Sequence, residues 1–174
     1  MRALALDQSL TSCGWALFDG KGATIGSWPL AENAQQRQRA AGFNALRAKL
    51  TEIHKDGPLD WVAFEAPLKT RIDALQKLRG LLGLTATIES WCVFRNIPMA
   101  EVDQRNWRAS WLGDSRKGVD RAQLKILAVD RARQFGFDPL NSDSAEALAI
   151  MDHVLLAEKI TPPWRNEQPF LLTI

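Results

Sequence analysis

The segment LDWVAFE, residues 59–65, constrains the fold of this chain more than any other part of its sequence. It is an apolar run rich in strand-forming residues, and Pro58 and Pro67 bound it on either side. Because the run does not alternate between apolar and polar residues, we expect a strand that is buried on both faces of its sheet. The run also ends in a carboxylate, Glu65, which is an unusual residue for such a strand. Other elements of the chain are therefore expected to cover this sheet on both sides.

Further strands and several long helices are predicted along the rest of the chain. Further strands are predicted at residues 2–7, 13–18, 22–28 and 97–103, and long helices at residues 32–54, 72–95, 120–135 and 142–159. Three consecutive strands, followed by strands that alternate with helices, predict an α/β fold with a mixed five-stranded sheet and helices on both faces. At 174 residues the chain is expected to be a single domain, with a core at 1–160 and a tail at 161–174.

The composition argues against several classes of protein. No apolar run reaches the ~18 residues that a membrane span needs, and the N-terminus lacks the apolar region and cleavage site of a signal peptide. Cys13 and Cys92 do not have the spacing of a metal site, and two histidines are too few to favour a histidine-based zinc site. These features predict a cytoplasmic protein without a membrane span, in which any metal is a hard cation bound by oxygen.

The net charge of +2 conceals an uneven distribution of charged residues. Residues 69–133 contain thirteen Lys and Arg against seven Asp and Glu, whereas residues 137–174 contain two against six. A basic middle and an acidic end indicate a surface for an anionic partner beside a site for a cation. The alternative is that these charges form ordinary solvated helix faces.

Acidic residues occur in the predicted elements at places where they can meet. Asp7 and Glu65 each end a predicted strand, and open α/β sheets bind ligands at the carboxyl ends of their strands. Asp143 and Glu146 are three residues apart at the start of a predicted helix, so they share one face with about 5–6 Å between their Cβ atoms. The alternative for this pair is an ordinary N-cap at Ser142 followed by an acidic first turn.

Four carboxylates at one place would repel each other unless cations lay between them. Mg²⁺ prefers oxygen ligands and binds to a few carboxylates together with substrate phosphates. Sites with two ions about 3.5–4 Å apart are typical of phosphodiester hydrolysis, in which one ion activates the water and the other stabilises the leaving oxygen. Asp152 lies nine residues after Asp143, half a turn away around the same helix, and is predicted to be a surface charge outside this cluster.

The sequence around these acids resembles the RuvC-type Holliday-junction resolvases of the RNase H-like superfamily. The resemblance rests on Asp7 after RALAL, on GWALFD as the second strand, on Glu65 in WVAFEAP and on DSAEALAI at a late helix. The order of the predicted elements also matches that family over roughly residues 1–157, and the sequence is most similar to its divergent phage or prophage branch. It departs from the family at Glu146, where Asp is usual, and at Leu68, where an aromatic residue is frequent.

This resemblance implies an RNase H-like fold and a homodimer that cuts two opposed strands of a four-way DNA junction, using Mg²⁺ or Mn²⁺. It implies that the catalytic, metal-binding residues are Asp7, Glu65, Asp143 and Glu146. It also implies phosphate contacts after the fifth strand and at the start of the next helix, at Arg108 and Arg121, with Arg116, Lys117 and Lys125 nearby. Lys69 and Arg71 follow Glu65, where a DNA backbone approaching the metals would pass, and are predicted to bind it as well.

Other functions remain open from the sequence. The same fold would suit a nuclease for another nucleic acid, such as a ribosomal-RNA precursor. An actin- or hexokinase-type ATPase also begins with an Asp on its first strand, but that class needs Gly-rich phosphate loops, and DQSLTSCG contains a single Gly. A binding module derived from a nuclease would be expected to lack one of the four acids, and all four are present. Trp107 and Trp111 share a helix face, and either belong to the core or stack on unpaired bases.

Overall fold

The computed structural model describes residues 1–32, 36–67, 75–113 and 117–166. Its elements in chain order are β1 (Ala3–Gln8), β2 (Ser12–Phe18), β3 (Ala23–Pro29), α1 (Gln36–Asp56), β4 (Trp61–Glu65), α2 (Leu75–Phe94), β5 (Met99–Val102), α3 (Gln104–Leu112), α4 (Arg121–Gln134), α5 (Ser142–Ala157) and α6 (Pro163–Asn166). Every predicted strand and long helix is present, and the ends differ from the prediction by at most four residues.

The five strands form one mixed sheet in the order β3-β2-β1-β4-β5. The strands β1, β2 and β3 are antiparallel neighbours, whereas β4 runs parallel to β1 and β5 runs parallel to β4. The apolar run that predicted a buried strand is β4, which lies between β1 and β5. The predicted mixed five-stranded sheet is confirmed.

Helices cover both faces of this sheet because its central strands bury side chains on both faces. In β1, Ala3 and Ala5 pack in one apolar cluster, and Leu4 and Leu6 pack in the other. The alanine side is covered by α3, α4 and α5, and α5 is buried along most of its length. The leucine side is covered by α1 and α2. Within the described residues, no helix combines the length and the apolar character needed to cross a membrane.

The prediction that Asp152 is a surface charge is wrong. Its carboxylate is fully buried and accepts hydrogen bonds from Trp164 Nε1 at 2.9 Å, from Arg165 Nε at 2.8 Å and from Arg165 Nη2 at 2.6 Å. The helix α6 supplies both partners, so the first part of the predicted tail packs on the core. Helical phase separates Asp152 from Asp143, but it does not reveal which side of a helix another element will cover.

The two tryptophans of α3 belong to the core. Trp107 is 0% exposed and Trp111 is 2% exposed, and both pack in the cluster between the sheet and the helices α3, α4 and α5. The indole N–H of Trp111 donates to the carbonyl oxygen of Ala128 at 3.3 Å. The interpretation of this pair as core residues is confirmed, and stacking on unpaired bases is excluded for side chains that are buried in this way.

Candidate active site

Asp7 and Glu65 lie at the same edge of the sheet because β1 and β4 are parallel neighbours. The last paired residues of these two strands are Leu6 and Phe64, and each acid follows directly after its member of that pair. Asp7 is opposite Gly14 in the antiparallel pair with β2. The strand topology therefore gives the arrangement of Asp7 and Glu65 that was expected from their places at strand ends.

The beginning of α5 brings two more acids, Asp143 in its first turn and Glu146 in its second, to this end of the sheet. Asn141 caps the helix, since its side chain accepts from the backbone N–H of Ser144 and the Ser144 side chain lies within hydrogen-bond distance of the Asn141 N–H. The cap is thus Asn141 rather than Ser142, and neither Asp143 nor Glu146 is needed as a cap. Both carboxylates are left for another role.

Gly14 allows α5 to reach this position. A Cβ atom at Gly14 would overlap the backbone carbonyl of Asp143, so a larger residue would push the start of α5 away from β2. A glycine after the first turn was part of the resemblance to the RuvC-type enzymes, but its contact with Asp143 joins residues remote in sequence and was not predicted.

Three of the four predicted acids form a compact group of oxygen ligands. Asp7, Asp143 and Glu146 each offer a carboxylate oxygen, and these three atoms lie within 4.8 Å of one another. Ser12 Oγ donates to Asp143 Oδ2 at 2.5 Å, and Lys125 Nζ lies 3.3 Å from Asp143 Oδ1 and 3.9 Å from Glu146 Oε2. A set of ligand atoms that consists of carboxylate oxygens fits a hard divalent cation.

The carboxylate of Glu65 is beside this group but is held by the helix α3. Gln104 Nε2 donates to Glu65 Oε1 at 2.8 Å, and Trp107 Nε1 donates to Glu65 Oε2 at 3.0 Å. Asp103 does not join the site: it is the N-cap of α3, and its side chain accepts from the backbone N–H of Arg105. The structure therefore brings all four predicted acids to one cleft, with Glu65 outside the three-carboxylate group.

The negative charges of Asp7 and Glu65 are poorly compensated, which raises the pKa of each. Burial raises the pKa of Asp7 well above its ordinary value, and the charges of the three other acids raise it further. Burial also raises the pKa of Glu65 to about 7, and the charge of Glu146 adds to this rise. The hydrogen bonds from α3 and the charge of Arg108 act in the opposite direction. A divalent cation among these carboxylates would remove the repulsion.

Arg108 is buried beside the acids. It is 9% exposed, its Nη2 lies 2.9 Å from Glu146 Oε1, and its Nη1 donates to Gln104 Oε1 at 2.9 Å. Its guanidinium also lies 5.0 Å from the centre of the Trp107 ring. These contacts connect Arg108 to Glu146 and, through Gln104, to Glu65, and they were not expected from the sequence. The predicted contact of Arg108 with a DNA phosphate stays a prediction.

The other predicted basic residues are distributed around the acids. Arg121 and Lys125 line the same cleft as the four acids, and Lys117 is exposed in the segment before α4. Lys69, Arg71 and Arg116 lie outside the described residues. A role in DNA binding stays a prediction for all of these residues.

The cleft above the acids has a volume of about 620 Å³, and both of its walls carry positive charge. Arg121 and Lys125 belong to α4, which covers one face of the sheet, and Arg39 on α1 and Lys77 on α2 belong to the helices on the other face. Arg39 donates to the backbone oxygen of Gln76 at 3.0 Å and thereby connects α1 to the first turn of α2. Nothing in the sequence near Arg39 distinguishes it from a solvated helical arginine, so only the fold identifies it as a cleft residue.

Neither a family model nor a curated protein sequence matches this chain. Solved structures do match it. A Thermus thermophilus RuvC structure in complex with a Holliday junction substrate has 14% identity and a TM-score of 0.65, over 91% of this chain and 96% of that one. A second T. thermophilus RuvC structure has 17% identity and a TM-score of 0.63 over the same shares. The yeast mitochondrial Holliday junction resolvase Ydc2 has 11% identity and a TM-score of 0.59, over 96% of this chain and 81% of that one.

This chain has the RNase H-like fold of RuvC. The fold implied by the short motifs is thereby confirmed. Within this fold the four acids lie on β1, β4 and α5 and line one cleft. At these levels of identity the likeness establishes the fold, and the activity is argued from the site.

Proposed function

We propose that this protein is a structure-specific DNA endonuclease that hydrolyses phosphodiester bonds at four-way (Holliday) junctions with the help of divalent cations. The observation that carries this proposal is the group of three carboxylates, Asp7, Asp143 and Glu146, whose oxygens lie within 4.8 Å of one another in a cleft with cationic walls. Glu65 beside them completes the set of four acids. The likeness in fold to structures named as junction resolvases supports the same conclusion.

The four acids would hold two ions, Mg²⁺ or Mn²⁺, since carboxylate-rich sites of this kind suit hard cations. When bound, such ions lower the pKa of a water molecule and stabilise the leaving oxygen in phosphodiester hydrolysis. The cationic residues of the cleft walls would contact the phosphates on either side of the bond that is cut. Contacts of this kind orient the DNA without reading its sequence, so they suit an enzyme that recognises the shape of a junction.

We further propose that the protein acts as a homodimer, since two opposed strands are cut at a four-way junction. Support comes from α2, where Leu82 and Val93 lie seven and eighteen residues after Leu75, so the three side chains share one side of the helix. Leu75 is 61% exposed, Leu82 50% and Val93 69%, and the neighbouring Phe94 is 84% exposed. A stripe of apolar residues on an exposed helix face fits a contact between two copies. A cytoplasmic location and a single domain of 174 residues stay predictions.

The proposal is tested by incubating the protein with a synthetic four-way junction, a plain duplex of the same sequence and a hairpin RNA, with Mg²⁺ or with EDTA. We expect paired, symmetric cuts in the junction that require Mg²⁺ and are abolished by Asp7→Asn. Equal cutting of all three substrates would replace the junction-specific function with that of a general nuclease, and preferred cutting of the RNA would indicate another nucleic acid as substrate. Absence of cutting together with ATP turnover would favour the ATPase class.

A further inference from the structure

The amino-terminal half of α3 holds the carboxylate of Glu65 on both of its oxygens. Gln104 Nε2 donates to Oε1 at 2.8 Å and Trp107 Nε1 donates to Oε2 at 3.0 Å. The two donors are one turn apart on α3, and Asp103 caps that turn, so their spacing is fixed by the helix itself. A carboxylate oxygen has two lone pairs, so each oxygen of Glu65 keeps one that is available to another partner.

The amide of Gln104 has its orientation fixed from the other side. Its Oε1 accepts from Arg108 Nη1 at 2.9 Å, and because the guanidinium can only donate, the amide must present its oxygen to Arg108 and its NH₂ group to Glu65. Arg108 Nη2 in turn lies 2.9 Å from Glu146 Oε1. A continuous series of hydrogen bonds thus joins Glu65 on β4 to Glu146 on α5 through Gln104 and Arg108.

We propose that Gln104 and Trp107 are positioning residues for the metal site, because they fix the rotation of the Glu65 carboxylate. Arg108 contributes by holding the side-chain amide of Gln104 in the orientation that donates to Glu65. This inference rests on the proposed function only in taking the four acids as a metal site. A carboxylate that can rotate must lose that freedom when it binds an ion, whereas one held by two donors has already lost it. Removing such outer partners of a metal ligand weakens metal binding by roughly 10- to 100-fold.

A purely structural role for Trp107 is the competing explanation, because its ring is fully buried in the core. The chain contains a matched control for this explanation four residues further along the same helix. Trp111 is also buried, and its indole N–H also donates a hydrogen bond, but to the backbone oxygen of Ala128 instead of an acid. Replacing either tryptophan by Phe removes one N–H and part of one ring from the same core cluster.

The experiment measures Mn²⁺ affinity by calorimetry, and thermal unfolding of the metal-free protein, for the wild type, Trp107→Phe and Trp111→Phe. We expect both variants to lose stability, and Trp107→Phe alone to bind Mn²⁺ at least tenfold more weakly. Gln104→Met, which keeps the length of the side chain but removes its amide, is expected to weaken Mn²⁺ binding in the same way with less effect on stability. Equal Mn²⁺ affinity for Trp107→Phe, Gln104→Met and Trp111→Phe would overturn the proposal.

The outcome is separable from that of the proposed function because the readout is metal affinity and not cleavage. If no DNA is cut while Trp107→Phe and Gln104→Met weaken Mn²⁺ binding relative to Trp111→Phe, the positioning role stands and the nuclease function fails. If junctions are cut and the three variants bind Mn²⁺ like the wild type, the nuclease function stands and the positioning role fails.

Discussion

The stability of the metal-free protein should fall as the pH rises from 5 to 8, because Glu65 holds a proton more tightly in the folded chain than in the unfolded chain. Its pKa is about 7 in the folded protein, against an ordinary value of 4.5. Below pH 4.5 both states are protonated and the folded state keeps its full advantage. Between pH 4.5 and 7 the unfolded chain has already lost this proton while the folded chain still holds it, so each rise in pH favours the unfolded state. Above pH 7 this contribution is constant.

The size of the effect follows from the same two pKa values. A difference of one in pKa corresponds to about 1.36 kcal/mol, so a rise from 4.5 to about 7 corresponds to about 3 kcal/mol in the free energy of unfolding. Asp7 has a raised pKa and acts in the same direction. A total of this size is a large fraction of the ~5–15 kcal/mol that stabilises a typical domain.

The assay is urea denaturation in EDTA, followed by tryptophan fluorescence, at several values of pH between 5 and 8. We expect the ionisation of Glu65 to cost the wild type about 2–3 kcal/mol over this range, because part of the total effect lies below pH 5, and Glu65→Gln to lose correspondingly less. Glu101→Gln serves as the control, since Glu101 is exposed on β5, and it should retain the wild-type pH dependence. Mn²⁺ added at pH 8 should restore stability to the wild type. A free energy of unfolding that is flat or rises with pH in the metal-free wild type would refute the reasoning.

Three further predictions concern the position of α5, the burial of Asp152 and the exposed surface of α2. Gly14→Ala should lower the free energy of unfolding by about 1–3 kcal/mol and weaken Mn²⁺ binding, because the added Cβ would displace the start of α5. Gly22 has open space around it, so Gly22→Ala should change neither quantity. Urea denaturation and calorimetry measure the two quantities. Asp152→Ala should cost about 3 kcal/mol, because it leaves the partly buried guanidinium of Arg165 and the buried indole N–H of Trp164 without their acceptor. A loss below 1 kcal/mol in urea denaturation would contradict this. Leu82→Arg should convert a dimer into a folded monomer in analytical ultracentrifugation if α2 is the contact between two copies, and an unchanged mass would rule out that surface.

Much of the fold could be predicted from the sequence because the strands and helices depend on local patterns. The apolar run of β4, the meander before it and the helical spacing of apolar residues each lie within a few residues of one another, and the structure confirms them. The places of Asp7 and Glu65 could also be predicted, since both follow from strand ends in a parallel pair. Asp143 and Glu146 of α5 could be predicted as a pair, because two residues that are three apart on a helix lie on the same face.

The tertiary structure alone decided what lies around those acids. Gln104 and Trp107 reach Glu65 across about forty residues of chain, and Arg108 reaches Glu146 across 38. The burial of Asp152 likewise depends on a four-residue helix that shows no periodicity of its own. A sequence pattern gives the angle of a side chain around its own helix or strand, but not which distant element will pack against it. The sequence therefore determined the sheet and the four acids, whereas the packing of α3 and α6 determined the partners of Glu65, Glu146 and Asp152.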